Sequence, residues 1–364
     1  MSNGKPDTQD EVLDETESDT SVAVEQYAIS SFGIDFDVEG LVRRLRKGDV
    51  YVPSFQRNFI WSQRESSQFI ESLLLGLPVP GVFLAKDRDS QKLMIIDGQQ
   101  RLKSLQFFYD GYFKPESKQK KQQVFELIQV QPQFKGRTYE SLDEEDQRRL
   151  DNAVIHATIV KQESPDEQED SSLYYVFGRL NSGGRKVTPQ EIRSALYNGE
   201  LMNLVEHLNT NTTWRKLFGK ESERLKDREL ILRFFALYYD SNYIRPMEEF
   251  VNRFCRKHRH GPTKFLTKAQ ALFTSTISAA EKGLGTSAFR PSRSMNAAAF
   301  DSIAIGIARR LEKSPITDFA TLKQAYEKLA QNDAYVVATS RATADETSVS
   351  NRLTLATEAF ASVK

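Results

Sequence analysis

Lys92-Leu-Met-Ile-Ile-Asp97-Gly98-Gln99-Gln100-Arg101-Leu102-Lys103-Ser104-Leu105 is the stretch whose reading decides the fold. The apolar run Leu93 to Ile96 stops at Asp97-Gly98. A helical spacing (Leu102, Leu105, Phe108, Tyr109) starts at once and ends before Gly111. The stretch therefore predicts a strand, a tight turn and a helix. Such a turn brings a carboxylate, two amides and a guanidinium to a helix N-terminus, where unpaired backbone N–H groups and the helix dipole favour an anion such as phosphate. The same residues also suit a plain turn followed by ordinary first-turn residues on a solvated face, and spacing alone leaves both readings open.

Upstream, Ser62-Gln-Arg-Glu65 predicts a capping box, followed by Phe69, Ile70, Leu73 and Leu74 at helical spacing and an end near Gly76. Gly81 to Lys86 then predicts a strand that turns at Asp87 to Ser90 into the strand ending at Asp97, so a hairpin presents the turn. Ile34 to Lys47 predicts a strand or turn and then an amphipathic helix closed by Gly48. Between these lies Tyr51-Val-Pro-Ser-Phe-Gln56-Arg57-Asn-Phe-Ile-Trp61, an aromatic and basic segment that reads as a core-lining loop or a binding loop.

Downstream, Lys114 to Gln123 reads as a solvated linker. Val124 to Val130 and Ala153 to Val160 read as strands, with a capped helix opened between them by Ser141-Leu-Asp-Glu144. Helices and strands alternate without a regular βαβ repeat, which predicts an α+β domain. From Ser171 the pattern is helical, with Leu173, Val176, Phe177 and Leu180 preceding a stop at Asn181-Ser-Gly183-Gly184. Thr188-Pro-Gln-Glu191 restarts a helix with cap, N1 proline and N3 acid in place. The glycine loop between them suits either a phosphate approaching backbone N–H groups or a simple helix stop. Further helices are expected over 228–239, 247–258, 264–282, 296–311, 318–332 and 349–363.

The 364 residues are 39% hydrophobic and 10% aromatic, enough for a large core. No run of about 18 apolar residues occurs, and the start of the chain is acidic and polar, so neither a membrane span nor a signal peptide is expected and the location expected is cytoplasmic. Cys255 is the single cysteine, and His156, His207, His258 and His260 are the only histidines. Disulfides and structural zinc are therefore not expected. The net charge of zero hides an asymmetry: residues 1–26 carry eight acids against Lys5, a net −7 that leaves +7 on residues 27–364. That composition predicts a disordered tail over 1–26, and the change from a mixed to a helical pattern divides the rest into a site-bearing domain over 27–200 and a helical region over 201–364. The mildly basic body permits a nucleic-acid partner.

Three ordered motifs go further than any one of them. They are Tyr51-Val-Pro-Ser-Phe-Gln56-Arg57 with Trp61; Ile95-Ile-Asp97-Gly98-Gln99-Gln100-Arg101-Leu; and Phe177-Gly-Arg-Leu-Asn181-Ser-Gly183-Gly184 with Gln190-Glu191-Ile-Arg193. Together they resemble the N-terminal domain of GmrSD-type modification-dependent restriction enzymes. The resemblance implies a ParB/sulfiredoxin-like N-terminal domain, here with a mostly α-helical C-terminal half. It also implies a bacterial or phage defence protein that binds and hydrolyses a nucleoside triphosphate with Mg²⁺, coupled to DNA sensing or restriction. By motif, Asp97, Gln99, Gln100 and Arg101 would be catalytic, with Asp97 at the metal, and Gln56, Arg57, Gly98, Asn181, Gly183 and Gly184 would bind nucleotide. Many relatives append a His-Asn-His nuclease domain. The C-terminal half here lacks that spacing, so nuclease activity from this chain alone is not expected, and its helical C-terminus is expected either to complete the domain or to recruit a separate nuclease partner. The alternative is a non-catalytic DNA- or partner-binding module of a restriction system, in which Tyr51, Phe55, Phe59 and Trp61 form a base-sensing pocket and Arg57 or Arg101 meets phosphate.

Overall fold

Leu93, Met94, Ile95 and Ile96 are all buried, so the strand that leads to the central turn runs through the inside of a sheet and has no solvated face. The computed structural model describes residues 12–13, 29–53, 59–87, 90–114, 123–162, 176, 188–291 and 294–364. The chain divides into two units, one of residues 25–187 and one of residues 188–364 with the first 24 residues, so the division falls between Val187 and Thr188.

In the unit of residues 25–187 the order is β2 (Ile29–Asp37), α1 (Val38–Lys47), β3 (Val50–Tyr51), α2 (Gln63–Leu74), β4 (Val82–Lys86), β5 (Leu93–Asp97), α3 (Gln99–Asp110), β6 (Tyr112–Phe113), β7 (Gln123–Val124), α4 (Glu144–Asp151) and β8 (Val154–Gln162). Five strands form one mixed sheet in the order β2-β8-β4-β5-β3. The β2–β8 and β4–β5 pairs are antiparallel; β4–β8 and β3–β5 are parallel. Local chemistry sets the element ends. The Asp37 side chain accepts from the Gly40 N–H at the start of α1, and Gly48 closes that helix at φ 71°. Ser62 and Glu65 form the capping box of α2, and the hydrogen bond from the Ser62 backbone holds the Glu65 carboxyl below its ordinary value. Leu41, Ile70, Leu84, Ile95, Leu105 and Phe108 meet in one core beneath the sheet.

Two expectations for this unit are corrected. Of the expected strand 124–130 only Val124 pairs, in the two-residue strand Gln123–Val124. Beyond it the Phe125 N–H donates to the Gly111 carbonyl and the Leu127 N–H to the Arg137 carbonyl, so buried Phe125 and Leu127 are inserted into the core from a loop. The Ser141 cap is also displaced. Thr138 caps a short 3₁₀ turn, Tyr139–Ser141, and α4 starts only at Glu144. The expected helix from Ser171 to Leu180 and the Asn181–Gly184 loop lie outside the described residues, Val176 excepted.

The second unit is helical: α5 (Pro189–Leu196), α6 (Glu200–Asn209), α7 (Thr212–Phe218), α8 (Lys226–Tyr239), α9 (Met247–His258), α10 (Thr263–Leu284), α11 (Ala297–Leu311), α12 (Phe319–Ala330), α13 (Asp333–Ser340) and α14 (Glu346–Phe360). The strand β1 (Val12–Leu13) pairs in parallel with β9 (Met295–Asn296). The Thr188 cap of α5 is present with Glu191 and Pro189 in their expected roles. Its core gathers Trp214, Phe234, Phe273, Phe289 and Phe300 around α11, which is buried along almost its whole length. Within it Asp301 meets Arg233 and lies 3.2 Å from Arg352, so the buried carboxylate is charge-paired twice. A Cβ at Gly306 would stand 2.8 Å from the Ala356 carbonyl, which is why α11 and α14 can lie so close.

Candidate functional site

The site is built by the passage from β5 into α3. Gly98 occupies the N-cap of α3 at φ 98°, and a Cβ there would stand 2.4 Å from Val82 Cγ1 on the neighbouring β4. Both the left-handed backbone and the contact with β4 demand glycine. Because glycine has no side chain, the α3 N-terminus gains no side-chain cap, unlike α1, α2 and α5. This end of α3 is a partial positive pole whose N-cap residue supplies no side-chain acceptor.

The motif residues stand around that pole. Arg101 reaches back one turn, and its guanidinium donates to Asp97 Oδ2 at 3.0 Å. Its side chain is 14% exposed against 45% for Asp97, so the arginine is the anchored member and the carboxylate faces solvent. Gln100 Oε1 accepts from the Ile60 N–H at 2.9 Å and the Trp61 N–H at 3.0 Å, holding the end of the aromatic segment against α3. Gln99 is half-buried in the same turn. The structure thus brings Asp97, Gly98, Gln99, Gln100 and Arg101 together at one place. Gln56, Arg57, Asn181, Gly183 and Gly184, expected as further contributors, lie outside the described residues.

Supporting contacts fix the direction of α3, and none of them was signalled by the motifs. Ser104 Oγ donates to the Gln100 carbonyl at 2.8 Å and meets Ser66 Oγ on α2 at 3.0 Å, inside the core. At the other end Tyr109 stacks on Tyr139 with ring centroids 4.1 Å apart, and both hydroxyls donate to Asp151. Burial raises both phenols, that of Tyr139 to about 12, so both remain donors across the ordinary pH range. Two serines at unremarkable spacing carry no sequence signal of their own.

The aromatic segment proves to be packing where it is described. Phe59 sits edge-on to Phe107 and Phe113, and Trp61 edge-on to Phe69. Their rings complete the core, as the core-lining reading expects, and Phe55 lies outside the described residues.

No group of three His, Cys, Asp or Glu side chains that could hold a metal comes together among the described residues. Asp97 is the single carboxylate at the turn, a donor set that fits Mg²⁺ only when the ion also takes phosphate and water oxygens. No helix among the described residues is long and apolar enough to cross a membrane.

Comparison with known proteins adds two findings. Residues 38–198 match the family model described as the GmrSD restriction endonuclease, N-terminal domain. An uncharacterized protein of Methanocaldococcus jannaschii is 30% identical over 96 residues, which cover 20% of this chain and 16% of that protein.

Proposed function

We propose that the domain of residues 38–198, which matches the family model described as the GmrSD restriction endonuclease, N-terminal domain, binds a nucleoside triphosphate at the β5–α3 turn and hydrolyses it, as a switch coupled to DNA sensing or to a separate nuclease. The observation that carries this reading is the α3 N-terminus without a side-chain cap, opened by Gly98 and flanked by the Asp97–Arg101 pair. A phosphate placed there would meet the helix pole and a guanidinium already held in position, so little ordering cost falls on binding. Arg101 would neutralise charge developing on the transferred phosphoryl group, and Asp97 would help hold an Mg²⁺ ion bound together with the phosphates. Gln100 has its Oε1 committed to Ile60 and Trp61. It therefore positions the aromatic segment, with Gln99 beside it as the other amide of the turn. A ParB/sulfiredoxin-like arrangement of the sheet belongs to the same reading.

The test is phosphate release from each triphosphate with Mg²⁺, with and without DNA, in parallel with nucleotide binding by calorimetry. Hydrolysis of at least one triphosphate, lost in Arg101→Ala, is the expected outcome. Binding without turnover under every condition would reduce the site to a ligand-sensing module. Neither binding nor turnover would remove the proposal.

A further inference from the structure

Among the described residues, one edge of the sheet in residues 25–187 is blunted and the other carries no further strand. At the β3 edge the strand is two residues long and Pro53 follows two positions later. The β2 edge runs for nine residues, Ile29–Asp37, pairs with β8 without a bulge, and contains no lysine, arginine or proline. Its charges are Asp35 and Asp37, and one oxygen of Asp35 already lies 2.7 Å from His156 Nδ1 on β8, leaving the other for a partner; a long, regular edge without lysine, arginine or proline is one that a sheet can use to pair with a further strand. Among the described residues no strand lies beyond β2, and Ser31, Phe32, Gly33, Asp35 and Asp37 are exposed.

The phase of the ladder follows from one bond. Val38 N–H donates to the Ala153 carbonyl at 3.0 Å, one step beyond the Asp37–Val154 pair. In an antiparallel ladder such hydrogen-bonded pairs alternate, so Phe36, Ile34 and Phe32 turn their backbone groups to β8. Asp35, Gly33 and Ser31 turn theirs outward. We propose that β2 is a self-association edge, pairing antiparallel with β2 of a second copy of this chain about a two-fold axis at Gly33.

The strand is self-complementary in that register. It is the centring that pairs all nine residues end to end, and the outward groups of Ser31, Gly33 and Asp35 then face those of Asp35, Gly33 and Ser31 across the axis. Asp35 meets the Ser31 hydroxyl. Centring on Asp35 instead would set two carboxylates directly opposite one another. On the core side, Ile34 and Phe36 already pack against the hydrophobic cluster, while Phe32 remains 42% exposed at its rim. The two-fold places Phe32 opposite Ile34 of the second copy, extending the apolar face across the joint. A closed, isologous pairing of this kind consumes both edges and stops at a dimer.

Sedimentation of the full chain over a concentration series, with three variants, tests this. The chain is expected to show a concentration-dependent dimer. Ser31→Asp puts like charges opposite at two symmetry-related places and should weaken it by roughly 2- to 30-fold, while Ser31→Lys, facing Asp35, should strengthen it by a similar factor. Ser31→Asp combined with Asp35→Lys should restore the affinity lost in the single variant, because the pair is specific to the Gly33-centred register. A chain that stays monomeric throughout would overturn the proposal. So would a dimer indifferent to the charge at residue 31, one weakened by both single variants, or one not rescued by the double variant. Should Ser31→Asp fail to fold, the gain or loss on Ser31→Lys decides the matter by itself. A peptide strand from another protein occupying this edge would appear as a monomer in this experiment and so would count against self-association.

Discussion

At the residue scale the sharpest contrast is between Gly98, Gln100 and Arg101. Removing Arg101 costs a partly exposed ion pair of about 0–1 kcal/mol and relieves a cation at a helix N-terminus of about 0.3–1 kcal/mol, so the two nearly cancel. Arg101→Ala is therefore expected to shift Tm by no more than about 4 °C while phosphate release is lost. A larger fall in Tm with normal turnover would make the Asp97–Arg101 pair a structural clasp. Gln100 behaves oppositely, because its oxygen satisfies two backbone donors. Gln100→Ala should destabilise by about 1–3 kcal/mol, whereas Gln100→Glu keeps the acceptor and should hold stability and most activity. Denaturant midpoints and phosphate release on both variants check this, and loss of activity in Gln100→Glu at full stability would return Gln100 to a chemical role. The turn itself was legible in the sequence because strand, glycine and helix signals coincide there. Arg101's ion pair joins residues one helical turn apart, whereas Gln100's partners forty residues away in sequence were not legible at all.

At the scale of elements, the readable parts were those with local chemistry. The caps at Ser62 and Thr188 and the stop at Gly48 need only residues a few positions apart, and each forms as the spacing implies. Phe125 and Leu127 look like strand residues, yet they enter the core from a loop, because tertiary burial overrides β propensity. Helices α6, α7 and α13 were not expected, since each is short and dense in apolar residues or broken by asparagine and threonine. The basic end of α9 carries a stack of rings. His258 lies with its ring centroid 4.5 Å from those of Phe254 and Phe265, and burial, then Lys257, lowers it below its ordinary 6.5, with Asp240 opposing. The unfolded chain therefore binds a proton there before the folded one does, and stability should fall as pH drops below about 6.5. Glu200, held low by His260, loses its contribution only below its own ordinary 4.5, so the upper window belongs to His258. Thermal melts of His258→Phe between about pH 5 and 7 should show a flatter pH dependence than the parent chain. Parallel profiles would mean that the stack does not control protonation.

At the scale of the whole molecule, the family match and the folded units do not end at the same residue. The match runs to residue 198, while the helical unit begins at Thr188. The overlap is α5, whose Gln190-Glu191-Ile-Arg193 motif is tied into the helical unit. Arg193 and Gln190 are fully buried; Arg193 Nε donates to Asn252 on α9 at 2.9 Å, and its guanidinium lies 3.6 Å from Glu229 on α8. Glu191 completes the Thr188 cap and lies 3.7 Å from Arg224. A division at residue 200, suggested by the change from mixed to helical pattern, would strip this helix away. Losing the burial of Ile192 alone costs about 1.5–3 kcal/mol, and leaving Asn252 without its buried donor adds about 1–3 kcal/mol. Residues 188–364 expressed alone are therefore expected to unfold cooperatively, and residues 201–364 to unfold at least several degrees lower or to aggregate. Equal melting temperatures for the two fragments would show that α5 merely rests on the helical unit, and the motif's buried arginine would then have to serve the domain that precedes it.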